Sequence, residues 1–103
     1  MISIDNIGIT KCEIQMTSKF KKQLKLMYKQ GRNIEELLLV IYMLANLYEL
    51  DSKYNNHYLI NDKTYKDCIE CHIRPDWILI YKYINNKLIL LLMATGSHSD
   101  LFD

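Results

Sequence analysis

Two strand-like segments separated by a pair of asparagines constrain the fold of this chain more than any other feature. The segments Trp77 to Ile84 and Lys87 to Thr95 are predominantly apolar, and only Asn85 and Asn86 lie between them. Asparagine tolerates the positive φ angles that a two-residue hairpin turn needs. The sequence therefore predicts an antiparallel β-hairpin near the C-terminus, preceded by a third strand from about Tyr65 to Ile73.

Two helical segments lie upstream of these strands. Thr17 or Ser18 can cap a first helix, which carries an apolar stripe on one side and lysines on the other. Asn33 can cap a second helix, which is apolar on nearly all sides from Ile34 to Leu50 and is therefore expected to be mostly buried. Because apolar and polar residues alternate from Cys12 to Met16, a short strand is predicted before both helices.

The predicted order of elements is strand, helix, helix and three strands (βααβββ). We expect an α+β fold in which the two-helix hairpin packs on one face of a small, mainly antiparallel sheet, leaving the other face open. A chain of 103 residues is too short to bury two separate cores, so residues 1–103 form a single domain. The polar segment from Asp51 to Thr64, which contains His57, is predicted to be a loop, and Gly96 to Asp103 is predicted to be a short polar tail.

The lengths of the apolar runs and the composition of the N-terminus indicate the cellular location expected for the chain. The longest runs, Leu37 to Ala45 and Leu88 to Ala94, are shorter than the roughly 20 residues that span a bilayer, so no membrane contact is expected. Residues 1–10 lack the basic start and apolar stretch of a secretion signal. We therefore expect a cytoplasmic protein whose three cysteines are reduced.

A basic segment from Ser18 to Arg32 contains lysines and no acidic residue. Such a segment is most often a solvated helix face, and the alternative is a surface that contacts the phosphates of a nucleic acid. If the second reading holds, Lys21, Lys22 and Lys25 are the residues expected to bind RNA.

The sequence Cys68-Ile69-Glu70-Cys71-His72 matches the C-x-x-C-H pattern of haem attachment. In a strand, however, Cys68 and Cys71 point to opposite faces and cannot hold one haem or one metal ion. We therefore expect no cofactor and no metal, and a cysteine/histidine metal or haem protein is kept as an alternative from a different class. The same alternation predicts that Cys71 faces the core, whereas Glu70 and His72 face the open side of the sheet.

Two C-terminal segments resemble a known family. The segment from His72 to Lys82 reads HIRPDWILIYK, and the segment from Thr95 to Phe102 reads TGSHSDLF. Together they resemble the YafQ-type branch of the RelE superfamily of bacterial toxins, which belong to type II toxin–antitoxin systems. The resemblance covers the last half of the chain, from Asn56 to Phe102. It implies a RelE-like fold and an enzyme, an endoribonuclease that cuts messenger RNA in the decoding site of the ribosome.

Carried over position by position, the resemblance implies a set of catalytic residues: His57, His72, Asp76 and His98. It also implies two aromatic residues that stack on unpaired RNA bases: Trp77 and Phe102. A ribonuclease that works without metal uses the 2′-hydroxyl of RNA as nucleophile and needs a base, an acid and positive charge at the phosphate. We expect His98 to be the acid and His57 the base, because imidazole exchanges protons near neutral pH.

The sequence departs from the family at two positions where relatives carry arginine. Ala94 stands directly before Thr95, and Ile69 lies two residues before Cys71. The alternative to an active enzyme is therefore a weakened or inactive relative that still binds an antitoxin. The resemblance implies a small cognate antitoxin as partner, and ribosome and mRNA as targets, with no DNA contact by the toxin alone.

Overall fold

The computed structural model describes residues 4–103 of the chain. The prediction that residues 1–10 are not a secretion signal therefore falls partly outside the described residues. Three α-helices and five strands form in the order β1 (Glu13–Met16), α1 (Ser18–Lys29), α2 (Ile34–Ala45), β2 (His57–Tyr58), β3 (Ile69–Arg74), β4 (Trp77–Ile84), β5 (Ile89–Gly96) and α3 (His98–Phe102). Short 3-10 helices span Ile4–Ile7 and Ser52–Tyr54. No helix within this part of the chain is both long and apolar enough to cross a bilayer.

The five strands form one sheet in the order β1-β5-β4-β3-β2. The pair β1 and β5 is parallel, and the other three pairs are antiparallel. The predicted β-hairpin is confirmed, and Asn85 and Asn86 have the expected positive φ angles of 55° and 57°. Its turn is longer than the predicted two residues, because Lys87 also has a positive φ of 68° and β5 begins at Ile89 and not at Lys87. The predicted α+β fold, with a helical pair on a mainly antiparallel sheet, is therefore confirmed.

The helical pair packs on one face of the sheet and forms the helix-side core. The side chain of Thr17 caps α1 by accepting a hydrogen bond from the backbone N–H of Phe20. Gly31, with φ of 78°, follows α1 in the left-handed conformation that glycine adopts without strain. The fully buried side chains of this core come from both layers: Phe20, Leu37, Val40, Ile41, Leu79, Leu90 and Leu92.

The second helix is shorter and less buried than expected. It ends at Ala45 and not at Leu50, because the side chain of Asn46 donates to the carbonyl of Tyr42 and Leu47 takes a left-handed φ of 63°. Leu39 and Tyr42 lie on an exposed side of α2. A continuous apolar run therefore did not mean burial on every side.

Two segments predicted to lack regular structure contain short elements. His57 lies on strand β2 and not in a loop, because His57 and Tyr58 pair with β3. The tail forms α3, since the side chain of Ser97 accepts from the backbone of Asp100 and the Asp100 carboxylate accepts from the backbone of Ser97. The order of elements therefore has one more strand and one more helix than predicted.

The second face of the sheet is only partly open. The segment before β3 and the helix α3 cover its centre and form a second apolar cluster: Tyr65, Cys68, Ile78, Ile80, Ala94 and Leu101. The strand β3 begins at Ile69 and not at Tyr65, because Asp67 has φ of 61° and the N–H of Cys68 turns back to the carbonyl of Tyr65. The polar part of this face lies at β2 and β3, next to this cluster.

Candidate active site

A buried carboxylate joins two of the three histidines. His57 on β2 stands directly opposite Glu70 on β3, and His72 follows Glu70 by two residues on the same face of β3. The Nε2 atom of His57 lies 3.2 Å from Oε2 of Glu70, and the Nε2 atom of His72 lies 3.2 Å from Oε1. The two rings are stacked with centroids 6.3 Å apart. We refer to these residues as the His57–Glu70–His72 cluster.

The other ring nitrogen of each histidine faces a backbone carbonyl. Nδ1 of His57 lies 2.7 Å from the oxygen of Asn55, whose left-handed φ of 47° turns the chain back toward the ring. Nδ1 of His72 lies 3.3 Å from the oxygen of Pro75 in the β3–β4 turn. A carbonyl oxygen only accepts hydrogen bonds, so both Nδ1 atoms act as donors.

The cluster is anchored inside the protein and opens to solvent. The Glu70 side chain is only 8% exposed, whereas those of His57 and His72 are 44% and 24% exposed. Burial of a carboxylate is costly unless its oxygens are paired, and here each oxygen has its own imidazole partner. The geometry therefore holds two imidazole rings at a fixed spacing on the protein surface.

His98 lies at the first position of α3, close to the end of β5. A Cβ added at Gly96 would lie 3.1 Å from the Cβ of Asp100, so only glycine lets α3 pack this closely on the strand. The ring of His98 packs against Phe102 with centroids 4.8 Å apart. Within residues 4–103, the ring nitrogens of His98 have no hydrogen-bond partner.

The sheet register relates His98 to the cluster. His72 pairs with Ile78, and Ile78 pairs with Gly96, which precedes His98 by two residues. Neighbouring strands lie about 4.8 Å apart, so the Cα atoms of His72 and Gly96 are about 10 Å apart across β4. Paired residues point to the same face of a sheet, and this places the start of α3 beside the face that carries the cluster.

Trp77 does not present its ring for base stacking in this structure. Its side chain is 1% exposed and lies in the helix-side core. The indole N–H donates to Oγ1 of Thr95 (2.9 Å), and that hydroxyl donates to the carbonyl of Ile78 (2.8 Å). Thr95 also donates its backbone N–H to the side chain of Gln23. Trp77 therefore anchors the end of β5, and the half-buried Phe102 is the aromatic residue nearer to solvent.

Asp76 lies apart from the His57–Glu70–His72 cluster. Its side chain is 75% exposed and has an oxygen 3.8 Å from a guanidinium nitrogen of Arg32, in the connection between α1 and α2. The β3–β4 turn thus directs Asp76 toward the helical layer. The neighbouring Arg74 pairs with Glu36 of α2 at 2.7 Å.

The basic residues of α1 are on the surface, as the sequence predicts. Lys21, Lys22 and Lys25 are all exposed. At the start of the same helix, the Nζ of Lys19 donates to the hydroxyl of Tyr65 at 2.6 Å, and the ring of Tyr65 packs against Phe102. The N-terminal end of α1 is therefore connected by contacts to α3.

The cysteines of the haem-like motif are on opposite faces, as predicted from strand alternation. Cys71 lies in the helix-side core and Cys68 in the second apolar cluster. Burial raises the pKa of the Cys71 thiol to about 12 and also raises the pKa of Cys68. The thiolate that would bind a metal ion is thus disfavoured at both positions.

Glu70 is the site residue that sequence reasoning did not single out. The alternation of β3 had placed Glu70 on the same face as His72. An acidic residue between isoleucine and cysteine in a predicted strand could have indicated a functional position. At the two positions where the resemblance implies arginine, Ile69 faces the helix-side core and Ala94 is buried. Ala94 and Glu70 both pair with Ile80, so they lie two strands apart on the same face. Only Ala94 therefore lies on the face of the cluster.

Comparison with known proteins gives a consistent result. Residues 12–103 match the family model described as a bacterial toxin of type II toxin–antitoxin system, YafQ. The mRNA interferase toxin YafQ of Escherichia coli strain K12 is 35% identical over 92 residues, which cover 87% of this chain and 95% of that protein.

Solved structures agree with the sequence match. A metal-bound toxin from Helicobacter pylori is 37% identical, with a TM-score of 0.81 over 88% of this chain and 99% of that one. The toxin of the Escherichia coli DinJ-YafQ toxin-antitoxin complex is 31% identical, with a TM-score of 0.79 over 90% of this chain and 99% of that one.

Proposed function

Because the chain belongs to the YafQ family of bacterial type II toxins, we propose that it is an endoribonuclease that cleaves mRNA on the ribosome without a metal ion. The observation that carries the proposal is the convergence of His57 and His72 on the buried carboxylate of Glu70. These rings come from different strands, and both lie on the exposed part of one sheet face. Such a group suits a substrate that is negatively charged and must be held in one orientation.

In the proposed reaction the 2′-hydroxyl of one nucleotide attacks the adjacent phosphorus. The bond from phosphorus to the 5′-oxygen breaks, a 2′,3′-cyclic phosphate forms, and His57 accepts the 2′ proton. His98 donates a proton to the leaving 5′-oxygen. This role suits His98 because its ring is exposed and its nitrogens are not engaged by other side chains of residues 4–103.

The contact between His98 and Phe102 supports a role for α3 in substrate binding. An aromatic ring beside an imidazole can stack on the base next to the scissile phosphate, and such stacking contributes about 1 to 3 kcal/mol in other single-strand binders. The exposed lysines of α1, Lys21, Lys22 and Lys25, would contact ribosomal RNA. His57 is the proposed base, and the carboxylate of Glu70, 3.2 Å from its Nε2, would stabilise the imidazolium that forms.

The partner proposed for the chain is a small antitoxin, and the place of action is the cytoplasm. The toxin of Escherichia coli forms the DinJ-YafQ complex. A cognate antitoxin of this chain is expected to copurify with it and to restore growth when both are expressed.

A binding-only relative is the second candidate function. It is favoured by Ala94, which lies fully buried in the second apolar cluster at a position where the resemblance implies arginine. In that case the chain would bind its antitoxin and leave mRNA intact.

Induction of the chain without an antitoxin separates the two candidates. The endoribonuclease is expected to arrest growth and to produce new 5′ ends within translated codons, and mapping of those ends on transcripts would reveal them. The exposed His98 offers the control, since His98→Ala removes the proposed proton donor without disturbing a buried contact. Unchanged growth and intact transcripts on induction of the unaltered chain would favour the binding-only relative.

A further inference from the structure

The helix α1 lies along an edge of the sheet that β1 leaves uncovered. Strand β1 pairs with β5 only as far as Leu92, although β5 continues beyond that residue. Along the rest of β5 the contacts come from α1: the hydroxyl of Thr17 donates to the carbonyl of Met93 at 2.7 Å. Further along, the backbone N–H of Thr95 donates to the side chain of Gln23 at 2.9 Å. Side chains at the start of α1 can therefore reach around this edge to the second face of the sheet.

Lys19 makes such a contact between the helical layer and the second apolar cluster. Its Nζ donates to the hydroxyl of Tyr65 at 2.6 Å. Tyr65 is only 2% exposed, and its backbone N–H donates to the carboxylate of Asp62, so the phenol is held on both sides. A lysine side chain is flexible when it has no partner, and this contact with a buried phenol holds the ammonium of Lys19 in one place.

The contact with Tyr65 leaves Lys19 able to bind an anion. The phenol is a neutral partner, and among the side chains that the structure describes no carboxylate lies within ion-pair distance of Lys19. A lysine ammonium has three N–H donors, of which Tyr65 accepts from one. The other two donors can bind the oxygens of a phosphate, where a charge-assisted hydrogen bond is stronger than a neutral one.

Aromatic contacts connect Tyr65 to the proposed proton donor. The rings of Tyr65 and Phe102 meet edge to face with centroids 5.7 Å apart, and those of Phe102 and His98 are 4.8 Å apart. These contacts form a continuous row that begins with the ammonium of Lys19 and ends with the imidazole of His98. The half-buried Phe102 lies between the two ends. Strand β5 adds no charge beside this row, because Ala94 is part of the same apolar cluster as Tyr65.

From this arrangement we propose that Lys19 binds the mRNA phosphate adjacent to the scissile one, and that Tyr65 is the positioning residue that holds its ammonium. This inference rests on the proposed nuclease function and deepens it by adding a phosphate subsite. Each nucleotide within a strand has a phosphate on either side. A base that stacks on Phe102 therefore brings one phosphate toward His98 and the neighbouring one toward Lys19. Such a contact fixes the register of the mRNA without reading its bases.

Binding to ribosomes that hold an uncleavable mRNA, with 2′-deoxynucleotides in the decoding site, measures the contact of Lys19. We expect Lys19→Gln to weaken binding about tenfold and to make the slope of log affinity against log salt shallower by about 1. Lys19→Arg keeps the charge and should retain most of the affinity. Lys29→Gln is the matched control, since Lys29 is exposed and lies about 15 Å further along the same helix. Equal affinity and slope in Lys19→Gln and Lys29→Gln would overturn the proposal.

Failure of the nuclease function would give a different result. A chain that binds the loaded ribosome and leaves an ordinary mRNA intact would contradict the proposed cleavage. The comparison of Lys19→Gln with Lys29→Gln uses mRNA that cannot be cut, so its outcome does not depend on cleavage.

A neutral linkage identifies the phosphate that Lys19 contacts. In a series of uncleavable mRNAs, one phosphate at a time around the cleavage position is replaced by an uncharged methylphosphonate. The loss caused by Lys19→Gln should disappear when the phosphate adjacent to the scissile one is neutral, because both changes then remove the same contact. It should persist when a more distant phosphate is neutral. A loss of the same size with every mRNA would assign Lys19 to ribosomal RNA and contradict the proposal.

The positioning role of Tyr65 is tested in two backgrounds. Tyr65→Phe keeps the ring that packs against Phe102 and removes the hydroxyl that holds Lys19. We expect affinity for the loaded ribosome to fall about threefold in the otherwise unaltered chain. No further loss is expected when Lys19→Gln is already present, because the hydroxyl acts only through the ammonium. The same loss in both backgrounds is the result of a purely structural role and would contradict the assignment of Tyr65.

Discussion

The two ends of the candidate site are built in different ways. The His57–Glu70–His72 cluster lies on paired strands, and every ring nitrogen in it has an acceptor. His98 lies on a five-residue helix, and its ring is exposed and contacts Phe102. An imidazole whose two nitrogens both have contacts is held in one orientation, whereas an imidazole without such contacts can turn toward a substrate atom. The hydrogen bonds of each histidine therefore decide how firmly its ring is held.

Among the substitutions that test this difference, replacement of His98 should have the largest effect on mRNA cleavage. His98→Ala is expected to lower cleavage of ribosome-bound mRNA by 10²- to 10⁴-fold, because the leaving oxygen loses its proton donor. Binding of an uncleavable mRNA should change little. Single-turnover cleavage and binding assays measure the two quantities. Cleavage at an undiminished rate would remove His98 from the acid role.

Charge reversal on α1 should have the next largest effect. With Lys21, Lys22 and Lys25 all replaced by Glu, affinity for the ribosome is expected to fall at least tenfold. The slope of log affinity against log salt should become shallower by about 2 to 3, since three phosphate contacts are lost. Titration of ribosomes at several salt concentrations measures both. If affinity and slope stay the same, these lysines form a solvent-exposed helix face that does not contact RNA.

Substitution of Gly96 should affect the His98 end alone. In Gly96→Ala the new methyl group would lie 3.1 Å from the Cβ of Asp100 and displace the side chain that caps α3. We expect cleavage to fall about tenfold because His98 moves by a fraction of an ångström or more. The ring ¹⁵N spectra of His57 and His72 should not change. Ser99→Ala, at an exposed position of α3, is the control, and an equal loss there would exclude the packing explanation.

Alkaline pH should destabilise the helix-side core. The pKa of Cys71 is raised by burial from its ordinary value of 9.0 to about 12, and the pKa values of Tyr81 and Tyr83 are raised by burial as well. Above pH 9 the unfolded chain loses these protons first, so the free energy of unfolding should decrease as pH rises from about 9 to about 12. Denaturant titrations measure the slope, and Cys71→Ala should reduce it. A slope equal to that of the unaltered chain would show that Cys71 makes no contribution.

Elements with strong local signals were predictable from the sequence. The strand β4 has the predicted bounds, Trp77 to Ile84, because the Pro75 turn and the asparagine pair limit it on both sides. Thr17 caps α1 as predicted. The short elements β2 and α3 were missed, since a two-residue strand exists only through its partner and a five-residue helix only through its capping and packing.

The arrangement of the candidate site could not be predicted from the sequence. Family resemblance named all three histidines, and alternation on β3 placed His72 on the second face, where the structure has it. Neither could reveal that Trp77 is buried against Thr95 or that Asp76 faces Arg32, because those contacts join residues distant in the chain. Glu70 was overlooked for the same reason, as its importance comes from a pairing with His57 across strands.

By itself the sequence determined the class of fold, the hairpin, the Thr17 cap of α1 and the faces of β3, because these depend on backbone preferences and on the period of the side chains. The predicted cap of α2 was wrong, since the side chain of Asn33 makes no capping hydrogen bond. Only the tertiary structure decided which groups meet: the carboxylate of Glu70 with two imidazoles, the indole of Trp77 with a threonine, and a short helix with Gly96. The physical reason is that the charge and hydrogen bonds of a side chain depend on partners within a few ångströms, and strand pairing brings those partners from distant parts of the chain.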